Sequence, residues 1–291
     1  MRVLVLGGTG TIGRAVVAAL RGRGHGMLAL ARSEASASTL RAAGAEPLPG
    51  DIRTPEAWVD RAVARTDGVI HVACGFDDDM AAVEEGLLRD LLPAMAATGR
   101  GPTLIYTGGC WLYGATGDRI AVEDSPFEPP PEWAWMVAHH ARVHAAAGIR
   151  AITIHPAMVW DDDGGVLRGM RADARAGRPL TVVGGDGVRW PLVHADDLAD
   201  LYCRALEAAP PGASYNGAAI EGMAVGDLAR AIARRAGRPI MAPVVRPVAD
   251  AIAAQGGWAR GYALDQQMSG AKARRDLGWA PVRLDPADVA R

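Results

Sequence analysis

The stretch "VLVLGGTGTIGRAVV", Val3 to Val17, narrows the possible folds more than any other part of the chain. A short apolar run, Arg2–Leu6, ends in glycines, and a segment with helical spacing of Ile12, Val16, Val17 and Leu20 follows. Gly7, Gly10 and Gly13 stand between them in a GxxGxxG pattern. Strand, glycine turn and helix in that order are the context in which such a pattern holds a dinucleotide. The first glycine permits a tight turn, the second lets backbone approach a pyrophosphate, and the third lets the helix pack on the strand. The start of the helix then offers free N–H groups and a positive dipole end to the phosphates.

The following segments repeat the alternation. Met27–Ala31, Gly68–Ala73, Thr103–Thr107 and Ala151–His155 read as apolar strands. "PEAWVDRAVA" reads as a helix with Pro55 in its first turn. Continuous apolar strands between amphipathic helices predict an α/β fold, a doubly wound parallel sheet covered on both faces. After Pro156 the rhythm changes. "DDDGG" (161–165) is a turn-rich break, and the remainder reads as a smaller α/β lobe over the carboxyl edge of the sheet. The expected division is 1–160 for the dinucleotide-binding domain and 161–291 for most of the substrate lobe. A helix near 195–209, started by Asp196 and Asp197, is expected to return to the first domain.

Composition excludes some partners. Net charge is −2 over 291 residues with the signs mixed, so no field favours nucleic acid or an anionic membrane. No apolar run approaches the length of a membrane span, and the chain opens directly on a strand without a leader-like segment, so a cytoplasmic protein is expected. Cys74, Cys110 and Cys203 are scattered without metal spacing and are expected to be buried free thiols. The acidic runs "FDDDM" (76–80) and "DDD" (161–163) read as solvated segments rather than metal ligands.

The second strand ends "LALARSE", where an NAD site usually places an acidic residue on the ribose 2′-hydroxyl. Arg32 and Ser33 stand there instead, with Glu34 one step late. An arginine at that position pairs with a 2′-phosphate, so NADP is the expected cofactor, with NAD as the alternative. Asp51, in "GDI", is placed to accept from the adenine amino group.

With "GGTGTIG", "GDI", "HVA" (His71–Ala73), "YTGGCWLYG" (Tyr106–Gly114), "HPAMVW" (His155–Trp160), "PLVHADDLADLYCRALE" and "RRDLGWAP", the chain resembles the extended short-chain dehydrogenase/reductase family of epimerases and dehydratases. The resemblance implies that Gly7, Gly10, Thr11, Ile12 and Gly13 hold the pyrophosphate. It implies that Arg32, Ser33, Asp51 and Ile52 surround the adenosine, and that Ala73 and Cys74 line the cofactor further along. Thr107 would sit near the nicotinamide ribose, and Pro156 and Met158 would face the nicotinamide. By the same analogy the chain could form a homodimer through helices flanking the central strands.

The family's chemistry uses a tyrosine, a lysine four residues later and a serine or threonine. This chain departs at all three. No tyrosine lies between Tyr113 and Tyr202, Lys272 is the sole lysine, the lysine slot falls near Met136, and the serine slot falls on Gly108 and Gly109. The helix that should carry the pair, "PEWAWMVAHHARVHAAAGIR", has neither residue. Thr107 offers the one hydroxyl near the serine slot. His139 and His140 on that helix, and Tyr113 in the "LYG" loop, are the candidate proton donors. Adjacent helical positions point about 100 degrees apart, so at most one of the histidines is expected to face the site. His155 and His194 read as structural. Trp111, Trp133, Trp135 and Trp160 cluster near strand ends and suggest a pocket for a bulky, aromatic or polycyclic small molecule. Three functions stay open: an NADP-dependent reductase, epimerase or dehydratase with an unusual proton donor, a sensor that binds NADP without turnover, and a redox-neutral enzyme reusing the fold.

Overall fold

A computed structural model of the chain describes residues 1–75, 77, 79–162, 164–238 and 242–287. Phe76, Asp78 and Asp163, from the two acidic runs, lie outside the described residues.

The first half winds as β1 (Arg2–Leu6), α1 (Thr11–Gly22), β2 (Gly26–Ala31), α2 (Glu34–Ala42), β3 (Glu46–Pro49), α3 (Val59–Val63), β4 (Gly68–His71), α4 (Met80–Ala97), β5 (Thr103–Thr107), α5 (Trp135–Ala145) and β6 (Arg150–Pro156). The second half adds β7 (Met158–Trp160), α6 (Arg168–Ala176), β8 (Thr181–Val183), β9 (Arg189–His194), α7 (Ala195–Ala208), β10 (Ser214–Gly217), β11 (Ile220–Ala224), α8 (Val225–Arg235), β12 (Val244–Arg246), α9 (Val248–Gln255) and α10 (Ala271–Leu277). Seven strands form one parallel sheet in the order β10-β6-β5-β4-β1-β2-β3. The order reverses between β1 and β4, and the crevice beyond the strand ends at such a reversal is where α/β sheets bind ligands.

The period-2 alternation of the strands explains both covering layers. Val3, Val5, Ile105, Ile152 and Ile154 face one side and join a cluster with α1 and α7, which pack against each other. Leu4, Leu6, Val69, Leu104 and Tyr106 face the other and meet Leu87, Leu88, Leu91 and Met95 of α4. A strand with both faces buried must be apolar throughout, and that is how these segments read.

Three local differences from the sequence reading have physical causes. "PEAWVDRAVA" is a 3-10 turn at Pro55–Ala57 and a separate short α3. The break falls at Trp58, which is buried while its indole Nε1 donates to the Asp51 carbonyl at 2.7 Å. Helix α7 is capped by His194, whose Nδ1 accepts from the Asp196 N–H at 3.1 Å. Asp197 instead turns toward the C-terminal segment and accepts from the N–H groups of Val282 and Arg283 at 3.1 and 2.8 Å. Residues 214–217 lie beyond 160 in the chain yet add β10 to the large sheet, beside β6.

A histidine cluster lies between α5 and β6. His140 is 4.4 Å from His144 and 5.5 Å from His155, ring centre to ring centre, and Phe127 and Tyr113 close the group around His155. Burial pushes His155 down to about 3 and His140 down to about 4, with neighbouring imidazoles adding to both. Both rings are therefore neutral in the fold and take protons more readily in the unfolded chain, so the stability they contribute is full above about pH 6.5 and is lost as pH falls through 4 toward 3. The urea midpoint is expected to drop between pH 6.5 and 4, and His155→Phe to flatten that drop. A variant slope equal to wild type would show that the cluster carries no such linkage.

Candidate active site

The phosphate loop joins three elements at very short range. Gly7 has φ +89°, and a Cβ there would stand 2.6 Å from the Ala73 backbone N. A Cβ on Gly13 would stand 2.0 Å from the Gly7 carbonyl oxygen, so no other residue fits while α1 crosses this close to the end of β1. Around a Cβ on Gly10 the only atom within 4 Å is the Gly7 oxygen, at 3.5 Å, so that side of the loop is open to an approaching ligand. Gly10 caps α1 without a side-chain hydrogen bond, and no acidic residue occupies the first turn. The N–H groups and dipole end are left available for an anion. A dinucleotide diphosphate fits this cradle.

From the loop a cavity of about 520 Å³ runs along the carboxyl edge of the sheet. Its walls include Gly10, Thr11 and Ile12, then Ala73, Cys74 and Thr107, then Pro156 and Met158, and finally Trp111, Trp133, Trp135 and Tyr262. Most of the residues expected at the inner half of a dinucleotide and at the substrate are thus brought together on one void. The volume lies within the roughly 300–1,000 Å³ usual for small-ligand sites.

The expected adenosine contacts lie on the surface beyond it. Arg32 is exposed and has no hydrogen-bond or charge partner among the described residues. Ser33 caps α2, accepting from the Ser36 N–H at 3.2 Å, and Glu34 is taken by Arg41 at 2.7 Å. Asp51 accepts from the Arg53 N–H at 3.0 Å, and Ile52 packs against the α3–α4 side of the core. Asp77 and Asp79 of the first acidic run pair with Arg53. Cys110 and Cys203 are buried, whereas Cys74 is exposed, because the chain leaves β4 at the mouth of the site.

The three expected proton donors are placed elsewhere. Tyr113 is buried and donates to the Asn216 side-chain oxygen at 2.8 Å, with burial raising its phenol. His139 points toward α4, its Nε2 3.1 Å from Glu85, and His140 points into the histidine cluster. The two rings diverge as helical geometry requires, and neither lines the cavity. Trp160 is likewise off the cavity, between the Arg171 guanidinium at 5.3 Å and the His194 ring at 4.5 Å. Thr107 does line it, with its hydroxyl 2.6 Å from that of Tyr202.

The tryptophan wall is held by the second half of the chain. Trp111 lies 5.4 Å from Trp133 and 5.7 Å from Tyr262, and a Cβ on Gly261 would stand 2.4 Å from the Trp111 ring. The lobe backbone therefore lies flat on the indole. In the serine slot, a Cβ on Gly108 would stand 2.3 Å from His155 Nδ1, so glycine there goes with histidine at 155. Gly109, in contrast, has open space where a side chain would be. Sequence reasoning missed five groups on the cavity: Tyr262, Arg168, Glu84, Tyr106 and His71, the last two quoted only as parts of motifs. Glu84 left a readable signal, an acid on the otherwise apolar stripe of α4.

No described helix is long and apolar enough to cross a membrane. Residues 3–218 match the NAD dependent epimerase/dehydratase family. An uncharacterized protein of Schizosaccharomyces pombe is 28% identical over 289 residues, covering 97% of this chain and 95% of its own. The 2-alkyl-3-oxoalkanoate reductase of Stenotrophomonas maltophilia is 29% identical over 234 residues, covering 75% of this chain and 69% of its own. In structure, the UDP-glucose 4-epimerase of Thermotoga maritima superposes with a TM-score of 0.83 over 99% of this chain and 96% of its own, at 20% identity. Phosphate cradle, parallel sheet and sequence match agree: the chain belongs to the NAD dependent epimerase/dehydratase family.

Proposed function

We propose that the protein is an NADP-dependent reductase, a relative of the epimerases and dehydratases, acting on an apolar, planar small molecule. The observation that carries this reading is the continuity of one cavity from the phosphate loop to the tryptophan wall, which gives a nicotinamide and a substrate a shared, largely apolar space. The bound nucleotide would supply the hydride. Gly7, Gly10 and Gly13 shape the diphosphate cradle, and the first turn of α1 faces it. Pro156, Met158 and Thr107 border the nicotinamide end. Trp111, Trp133, Trp135 and Tyr262 offer flat apolar faces for the substrate.

NADP is favoured over NAD by the pairing around β2. Glu34 is engaged by Arg41, while Arg32 is exposed without a partner and can meet a 2′-phosphate. The relative from Stenotrophomonas maltophilia supports a reductase, since its name gives a keto group beside an alkyl chain as its substrate. The tyrosine–lysine pair is absent, and Lys272 sits over the Tyr215 ring, 5.3 Å away, rather than on the cavity. The proton must therefore come from another group.

Titration with NADPH and NADH, followed by NADPH oxidation against a panel of apolar aldehydes, ketones and quinones, tests the reading. Saturable binding and turnover of at least one carbonyl compound are expected. Tight binding without any turnover would replace the reductase by a sensor, and failure to bind either nucleotide would overturn the reading. Arg32→Glu is expected to weaken NADPH about tenfold or more while leaving NADH within a few-fold, the scale of a charge-assisted hydrogen bond. Equal loss for both nucleotides would contradict the role given to Arg32. Gly13→Val should abolish nucleotide binding and destabilise the fold by roughly 3 kcal/mol or more, since backbone must move to admit the side chain. Gly109→Ser, placed in open space, should leave the melting temperature unchanged.

A further inference from the structure

The floor of the cavity holds two ionisable side chains in contact. Helix α4 turns Met80, Glu84, Leu87, Leu88, Leu91, Leu92 and Met95 inward, so Glu84 occupies a position that helical spacing gives to an apolar residue. Glu84 and His71 are each 3% exposed, and His71 Nε2 lies 3.0 Å from both Glu84 oxygens. Taking such a pair out of water carries a desolvation penalty that two well-packed apolar side chains would avoid. The far side of the ring is stranger. His71 Nδ1 is buried and has no hydrogen-bond partner among the described residues, although polar atoms at that depth ordinarily find one. Both side chains line the same cavity as the phosphate loop and the tryptophans.

Beside this pair stand a phenol and a thiol whose protons desolvation holds tightly. Tyr106 of β5 lies 5.9 Å from the His71 ring, and burial and the Glu84 carboxylate raise its phenol, which keeps it neutral. Cys74 follows β4, and α5 presents Met136 where the family keeps its lysine. Among the described residues Arg168, on the far lobe, is the one arginine or lysine on the cavity.

We propose that His71 and Glu84 form the proton store of the reaction, with the His71 ring passing its proton to the substrate oxygen through a bridging hydroxyl of the bound nucleotide or a water rather than by direct contact. This inference rests on the oxidoreductase reading of the site. In reduction of a carbonyl, the hydride and its electron pair pass from the reduced nicotinamide to the carbonyl carbon, forming the C–H bond. The C=O π pair moves to oxygen, which takes the proton relayed from His71. The nicotinamide is oxidised, the carbonyl is reduced, and the neutral imidazole is refilled from solvent. Glu84 is a positioning residue. Its carboxylate accepts the hydrogen bond from Nε2–H and fixes the ring.

The test follows the imidazole resonances of the whole protein by NMR, and single-turnover NADPH oxidation against pH with whichever carbonyl compound the panel identifies. One resonance should vanish in His71→Asn, move when NADPH binds, and change its chemical shift in Glu84→Gln, which keeps the shape and removes the charge. Glu84→Gln should keep its melting temperature and bind NADPH within twofold of wild type. Its hydride-transfer rate at pH 7 should fall tenfold or more, and the dependence of rate on pH should differ from wild type. A Glu84→Gln enzyme with wild-type rate and pH profile would overturn the proposal. So would a His71 resonance unmoved by pH and by NADPH. If wild-type protein oxidises NADPH with no carbonyl compound, the reductase reading fails, and the NMR titration still decides whether His71 exchanges a proton at the nucleotide site. Should His71→Asn fail to fold, the shift of one resonance between wild type and Glu84→Gln identifies the ring.

Discussion

Where the end of β1, the first turn of α1 and the end of β4 meet, there is no room for a side chain. A Cβ on Gly13 would lie 2.0 Å from the Gly7 oxygen, and one on Gly7 would lie 2.6 Å from the Ala73 nitrogen. This crossing sets the direction of α1 relative to the sheet and leaves its N-terminus uncapped and facing the cavity. It also places Ala73 and Cys74 beside the loop, so the reversal of strand order between β1 and β4 becomes a binding crevice. The other walls are arranged around that opening. Strand β5 delivers Thr107 and the Trp111 loop, β6 delivers Pro156, and β7 delivers Met158.

The departures from the family's catalytic pattern are linked rather than scattered. Histidine at 155 leaves no space for a side chain at 108, and its ring joins His140 and Phe127 in a closed group under α5. Helix α5 presents Trp135 and Met136 to the cavity. On that helix His140 packs in the cluster and His139 contacts Glu85, 3.1 Å away. On the cavity floor His71 of β4 and Glu84 of α4 meet.

Much of the fold was legible in the sequence because its signals are local. Arg2–Leu6 and Thr103–Thr107 are strands with the bounds read from their apolar runs. The glycine spacing located the cradle for the same reason: a tight turn and a close crossing constrain single residues. The placement of the candidate donors was not legible in that way. Tyr113 sits in the expected loop, yet its partner Asn216 comes from β10, 103 residues later, and turns the phenol away from the void. Tyr262 reaches the cavity from a distant turn with no motif around it. Glu84 could have been found, since an acid at the fifth position of an apolar stripe beginning at Met80 signals a buried charge. What was missing was the strand neighbour that it pairs with.

The most direct measurement is a crystal structure of the protein soaked or grown with NADP. The diphosphate is expected on the N–H groups at the start of α1, the 2′-phosphate at Arg32, and the nicotinamide between Met158 and Thr107 with its open face toward Trp111 and Trp135. A nucleotide bound away from the Gly7–Gly13 loop, or a nicotinamide turned out of the cavity, would contradict the account.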